Sequence, residues 1–165
     1  ARIAFLTGEL IDDQHALAAL LLPVFRAGDT YTVPRDMTAD QAVGYWCAPG
    51  KTVFLAEDET GQMLGTYYIR ANQDGGGNHV CNCGYVTAAA ATGQGVARAM
   101  LAHSLATART MGFAAMQFNF VVASNTRAID TWTRAGFETV GRLPGAFRHP
   151  TEGEVDALVM YKRLS

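Results

Sequence analysis

Several kinds of residue and pattern are scarce in this chain, and each scarcity narrows the field. Charged residues make up only 17%, and the formal balance is −2. A general nucleic-acid binder carries a basic excess or stripe, so no nucleic-acid partner is expected, although room is left for a small basic patch around one phosphate. Cysteine occurs three times, at Cys47, Cys81 and Cys83. An odd, small number does not build a disulfide framework and predicts a reducing, cytoplasmic compartment. Long apolar runs are missing too. The longest, Ala16 to Phe25, is too short to span a bilayer and contains Pro23, so no membrane partner is expected. No basic-then-apolar leader is legible at the start, and no internal repeat is present. What remains is a chain of 165 residues, 49% apolar, which predicts one domain, 1–165, with one core.

What is present concentrates between His79 and Phe113. A strand over His79–Val86 runs into small residues and then a turn, Ala91-Thr92-Gly93-Gln94-Gly95-Val96-Ala97-Arg98. A long helix follows, since Val96, Met100, Leu101, Leu105, Ala108 and Met111 recur at helical spacing. Strand, glycine turn and helix start form an anion site. The first helical N–H groups have no partners within the helix, the dipole there favours negative charge, and glycine lets a phosphate approach the main chain.

Three phosphate motifs can be tested against this stretch. The dinucleotide fingerprint needs Gly or Ala where Arg98 stands. A P-loop ending in Gly50-Lys51-Thr52 would need Gly at Tyr45, and the triplet precedes a strand instead of following one. The third is a Gln or Arg, two residues, Gly, one residue, then Gly or Ala, the pyrophosphate loop of the GCN5-related N-acetyltransferase (GNAT) superfamily. Thr92-Gly93-Gln94-Gly95-Val96-Ala97 resembles it, with Thr92 replacing the usual Gln or Arg. A second segment strengthens the resemblance: Phe118 to Asn125 ends a strand, Asn125 opens a helix over Thr126–Arg134, and Gly136-Phe137 starts the next strand. The chain is identified as a member of that superfamily over roughly Lys51 to Tyr161. Asn119 with Asn125, Cys81-Asn82-Cys83-Gly84 and Gly141-Arg142-Leu143-Pro144-Gly145 are similar to the branch containing the fungal L-azetidine-2-carboxylate acetyltransferase.

Taken in order, the chain reads as follows. Arg2–Thr7 is a strand, Asp12 and Asp13 stand at an N-cap, and His15–Arg26 is a helix. Ala27–Thr38 is a loop whose Tyr31, with Tyr45 and Trp46, either lines a pocket wall or packs on the core. Thr38 or Asp40 caps a short helix to Trp46. Thr52–Ala56 and Met63–Ala71 form a hairpin, and Asn72–Asn78 is a glycine-rich loop. His79, Cys81 and Cys83 share one strand face. Three ligands on one strand without a fourth make a poor metal site, so no metal is expected and two small buried thiols are the better reading. Ala114–Phe120, Phe137–Val140 and Val155–Arg163 are further strands, with a long loop over Pro144–Gly153. About seven strands and four helices predict a mixed α/β sheet. The resemblance implies that it is mostly antiparallel around a central, splayed parallel pair.

The resemblance also implies a chemistry. Acetyl-CoA would lie where His79–Val86 and Ala114–Phe120 part. Tyr85 and Val86 would bond its pantetheine arm, Thr92, Gly93, Gln94, Gly95, Val96 and Ala97 would hold its pyrophosphate, and Asn125 would reach it near the pantetheine. The acceptor amine would attack the thioester directly in a ternary complex, with orientation, deprotonation and oxyanion stabilisation supplied by the protein. Asn82 and Asn119 are polar residues in apolar strands, either satisfied core amides or contacts to a small amine such as an amino or cyclic imino acid. Asn125 and Asn119 are the catalytic candidates. Many relatives carry a Tyr where this chain has Trp132, and indole N–H is too weak an acid for that role. Glu57, Asp58, His79 and His149 are weak candidates for a general base, and His103 is expected to be exposed or packed. A protein amine, an acyl-CoA-binding module without catalysis and a nucleotide-binding protein are the alternatives. A homodimer is common among the relatives.

Overall fold

The computed structural model describes residues 3–7 and 14–165. The strand start at Arg2 and the Asp12–Asp13 cap lie outside the described residues. Among the described residues, seven strands form one sheet in the order β1-β2-β3-β4-β5-β7-β6. They are β1 (Ala4–Thr7), β2 (Thr52–Glu57), β3 (Met63–Ala71), β4 (Val80–Thr87), β5 (Ala115–Val122), β6 (Glu138–His149) and β7 (Gly153–Arg163). All neighbours are antiparallel except β4 and β5. Four helices are described with them: α1 (Gln14–Ala27), α2 (Ala39–Trp46), α3 (Val96–Thr110) and α4 (Thr126–Arg134). This is the mixed, mostly antiparallel α/β architecture with one central parallel pair that the sequence leads one to expect.

Strand alternation divides the core between the two faces of the sheet. On β4, Cys81, Cys83 and Tyr85 point to α3, where they meet Val96, Met100, Leu101 and Ala108. Val86 points the other way, to Leu17, Leu21 and Phe25 of α1 and Val43 and Trp46 of α2. Thr38 caps α2 through a reciprocal pair: its hydroxyl accepts from Gln41 N–H, and its own N–H donates to Gln41 Oε1. Trp46 is fully buried, its indole N–H donating to Thr66 Oγ1 at 3.1 Å, so of the two readings offered for it the core is right. Met111, counted into the apolar stripe of α3, instead lies just past the helix as its C-cap and is 45% exposed.

The C-terminal hairpin corrects the sequence reading. The expected loop over Pro144–Gly153 is largely strand, since β6 runs from Glu138 to His149 and pairs with β7. Pro144 and Gly145 suggest a loop, but β6 is an edge strand, where a residue without an N–H is tolerated at a pairing break. The register skips between Leu143 and Phe147, and there Asp156 Oδ1 accepts the Gly145 N–H at 2.9 Å.

Candidate active site

β4 and β5 pair in parallel only at Val80–Ala115 and Cys81–Met116 and then separate. Beyond the last pair, the side chain of Asn82 spans the strands, its Nδ2 donating to the Gln117 carbonyl at 2.9 Å. On the α3 side of the opening, Trp132 from α4 packs against both Tyr85 and Phe118, with ring centroids 5.2 and 4.7 Å apart. On the α1–α2 side, Tyr31 donates its hydroxyl to the Tyr85 carbonyl at 3.0 Å. Tyr31 therefore reaches the rim of the opening, as a wall residue would. One lone pair of that carbonyl is taken up by this bond.

The chain leaves β4 through a turn of 3₁₀ helix at Ala89–Ala91 and enters α3 at Gly95. Gly93 and Gly95 adopt φ of +83° and +81°, the left-handed region in which glycine is nearly free of strain. A Cβ at either would meet no protein atom within 4 Å, so the space above the loop is open. Thr92 N–H donates to Ala89 O, and Gln94 N–H to Ala91 O. These two amides are turned back into the loop by the 3₁₀ bend, which narrows the expected donor set. The N–H groups of Gly93, Gly95, Val96, Ala97 and Arg98 find no backbone acceptor among the described residues. They form a cradle of unpaired donors at a helix start, suited to a phosphate.

Asn125 sits where expected, at the start of α4, but its Oδ1 accepts the Ala128 N–H as a helix cap at 3.4 Å. Its Nδ2 carries the remaining polar capacity. Asn119 and Asn82 share the face of the sheet that looks toward α1 and α2, because Met116 and Phe118 on β5, and Cys81 and Cys83 on β4, belong to the opposite core. Asn119 is exposed and sits in a chain of amides: Gln117 Nε2 donates to Asn119 Oδ1, and Asn119 Nδ2 donates to Asn72 Oδ1 at 2.7 Å. Gln117 and Asn72 escape sequence reasoning; the only clue at Gln117 is a second polar residue two positions from Asn119.

Two of the weak base candidates, Asp58 and His149, hold turns. Asp58 Oδ1 holds its turn by accepting the Thr60 hydroxyl and the N–H groups of Thr60 and Gln62, and these hydrogen bonds, that of the hydroxyl above all, keep the carboxyl below its ordinary range. His149 Nδ1 accepts N–H groups from Thr151 and Glu152, closing the β6–β7 turn. His103 stacks on Phe5 and is hydrogen-bonded through Nδ1 to the Tyr67 hydroxyl. His79 is exposed just before β4. The Tyr85 phenol is committed to the α3 core, since it meets Ser104 Oγ at 2.7 Å and burial pushes its pKa well up.

Gly84 is a close-approach glycine. A Cβ there would stand 2.5 Å from Tyr68 Cε2, so the ring of Tyr68 crosses directly over β4 beside the opening. Next to Tyr68 lies Lys51, whose Nζ donates to the Tyr45 carbonyl at 2.7 Å and rests 3.8 and 4.3 Å from the ring centres of Tyr45 and Tyr68. Burial, reinforced by the Arg70 guanidinium, brings its pKa down to about 8. Lys51 appears in the sequence only inside the rejected P-loop triplet.

Comparison with known proteins agrees with this geometry. The family model for the acetyltransferase (GNAT) family matches residues 16–137. N-acetyltransferase aca1 of Schizosaccharomyces pombe is 28% identical over 148 residues, covering 80% of this chain and 71% of that protein. The solved structure of a GCN5-related N-acetyltransferase from Kribbella flavida superposes with a TM-score of 0.90 at 35% identity, covering 98% of this chain and 97% of the other. A GNAT superfamily phosphinothricin acetyltransferase from Sinorhizobium meliloti, solved in complex with acetyl-CoA, shares the fold with a TM-score of 0.86 at 15% identity, over 100% of this chain and 90% of that one. A family match across most of the chain, with the opening between β4 and β5 and the free amides beside it, identifies this protein as a member of the GNAT family of acetyltransferases.

Proposed function

We propose that the protein moves the acetyl group of acetyl-CoA to the amine of a small molecule, an amino acid or cyclic imino acid, by direct attack in a ternary complex. The observation that carries this reading is the open row of N–H groups at Gly93, Gly95, Val96, Ala97 and Arg98, placed at the end of the strand whose free edge parts from β5. A pyrophosphate on those amides directs the pantetheine arm along Tyr85 and Val86 toward the opening. The thioester then lies between the strands, with Asn125 Nδ2 at one end and the α1–α2 face of the sheet at the other.

On that face the acceptor meets Asn82 and Asn119. Neutral amides orient a small polar molecule without demanding a charge of either sign. The amine lone pair attacks the thioester carbonyl, the C–S bond breaks, and the thiolate leaves with the electron pair. The nitrogen loses its proton to solvent water, and the thiolate gains one from the same source. Trp132 supplies no acid here; packed on Tyr85 and Phe118, it lines the passage with apolar surface. Backbone donors and Asn125 Nδ2 are the groups available to the developing negative charge.

The test is release of free CoA thiol from acetyl-CoA, followed with a thiol reagent across azetidine-2-carboxylate, proline analogues, amino acids and polyamines. Acceptor-dependent release with an amino or imino acid is the expected result. Release with polyamines or a protein N-terminus alone would replace the acceptor assignment while keeping the reaction. Absence of both release and thermal stabilisation by acetyl-CoA would remove the donor from the reading.

A further inference from the structure

We propose that Arg70, with Lys51 beside it, is the anchor for a carboxylate on the acceptor. The inference deepens the acceptor assignment above and rests on it. Arg70 lies directly opposite Asn82 in the β3–β4 register. It shares a sheet face with Tyr68, because Ile69 between them belongs to the α3 core. The same row continues across the sheet: Asn82 reaches the Gln117 carbonyl, and Gln117 pairs with Tyr161 of β7. Lys51 enters the row from the start of β2, two residues before Val53, which points to the same side.

The charge on this row is one-sided. The ion pairs recorded among the described residues involve Arg134, Arg142, Arg148 and His149. Arg70 and Lys51 take part in none of them. The side chain of Arg70 makes one long contact to protein, Nε to the Ala71 carbonyl at 3.4 Å, which leaves its terminal amino groups uncommitted. The groups acting on Lys51 are Arg70, which opposes its charge, and the Cys47 thiol, which supports it only as thiolate. Burial has raised the Cys47 pKa, so that thiol is neutral near pH 7. Two neighbouring cations, Lys51 half-buried and Arg70 exposed, repel each other, and a bound anion removes that cost.

Everything around the pair favours an anion as well. Asn82, Gln117 and Asn119 each have amide N–H capacity beyond the bonds they make. A guanidinium matches a carboxylate in shape and offers two parallel N–H bonds. Arg70 is one strand, about 4.8 Å, from β4, whose other edge borders the opening, so a carboxylate held there is within reach of a small molecule whose amine enters the opening. The arrangement also disfavours polyamines and lysine side chains, whose extra positive charge would face Lys51 and Arg70.

The experiment compares azetidine-2-carboxylate with its carboxamide, and an amino acid with its carboxamide, in the intact protein and in Arg70→Gln and Arg70→Lys. The unmodified protein should prefer each acid over its carboxamide by about tenfold or more in kcat/KM. Arg70→Gln should remove that preference by raising KM for the acid, while KM for acetyl-CoA and for the carboxamide stays within about twofold. Arg70→Lys should restore part of it. Equal kcat/KM for acid and carboxamide in the unmodified protein, or equal losses for both in Arg70→Gln, would overturn the assignment. If no member of the panel is acetylated, the acceptor reading has failed, and thermal stabilisation of the CoA-bound protein decides this point separately. Stabilisation by the acids that vanishes in Arg70→Gln supports the anchor; stabilisation by neither acid overturns it.

Discussion

The two sides of the opening between β4 and β5 are built on opposite principles. The loop from Gly93 to Arg98 presents main chain: five N–H groups left over at a helix start, with open space above its two glycines. The face toward α1 and α2 presents side chains, drawn from β3, β4, β5, β7 and the residue before β2. Main-chain recognition is insensitive to which residues supply it, provided the backbone can take the shape. Side-chain recognition changes with every substitution. A family that keeps one donor and varies its acceptors would be expected to divide the labour this way, and the variants below test how cleanly this chain does so.

The largest effect is expected at Gly95. Gly95→Val places a β-branched residue at φ +81° and fills the space above the loop. Strain of about 1–2 kcal/mol for a left-handed non-glycine residue adds to the obstruction of a phosphate. Acetyl-CoA affinity, measured by calorimetry, should fall roughly a hundredfold, with a much smaller loss in thermal stability. Equal acetyl-CoA affinity in the variant would show that the loop is not the phosphate site.

Gly84→Ala comes next and acts from the acceptor side. Its Cβ would meet the Tyr68 ring at 2.5 Å. Overpacking of this kind costs about 1–3 kcal/mol, read as a lower urea midpoint. Combining it with Tyr68→Leu should recover most of the loss, since the clash is with that ring. Failure to recover would mean that backbone, not Tyr68, sets the limit at Gly84.

Asn82→Ala sharpens the comparison further, because Asn82 belongs to both fold and face. Losing its bond to the Gln117 carbonyl should cost about 1 kcal/mol, and the acceptor KM should rise by much more than that of acetyl-CoA. Asn119→Ala, at an exposed position, should raise the acceptor KM with almost no change in stability. If neither variant alters acceptor kinetics, the face has been misassigned.

The smallest effect lies in the β6–β7 hairpin. Asp156 accepts the Gly145 N–H and pairs with Arg142, and these two interactions hold its carboxyl below the ordinary carboxylate range. A depressed folded-state pKa contributes stability above the unfolded pKa, and this is lost as pH falls through the folded value. The unmodified protein should therefore melt slightly above Asp156→Asn at neutral pH, and the gap should close in acid. A gap independent of pH would assign the effect to packing instead of charge.

Most of the fold was legible because its signals are local. Thr126–Arg134 and Met63–Ala71 were read with the boundaries the structure has, from a capping Asn and glycine stop in one case and from strand composition in the other. The α2 cap falls at Thr38, one of the two residues, with Asp40, that the sequence offers for it. β6 was not, because Pro144 and Gly145 read as breakers, and only the position of the strand at the sheet edge makes them tolerable. The same division holds within the site. Gly93 and Gly95 announce their loop, since positive φ next to a helix start is a property of a few consecutive residues. Thr92 and Gln94 lie in that loop too, but which amides turn inward depends on the bend at Ala89–Ala91.

Consecutive residues and their spacing were enough to define most of the elements, the alternation of faces on β4 and β5 and the glycine loop at the start of α3. These follow from backbone geometry and near-neighbour chemistry, which the order of residues carries directly. The reach of Tyr31 to the Tyr85 carbonyl and the meeting of Lys51, Arg70, Asn82 and Gln117 came from packing alone. These groups lie far apart in the chain and on separate strands. A lone cation in a strand has no local signature until the sheet sets its neighbours beside it.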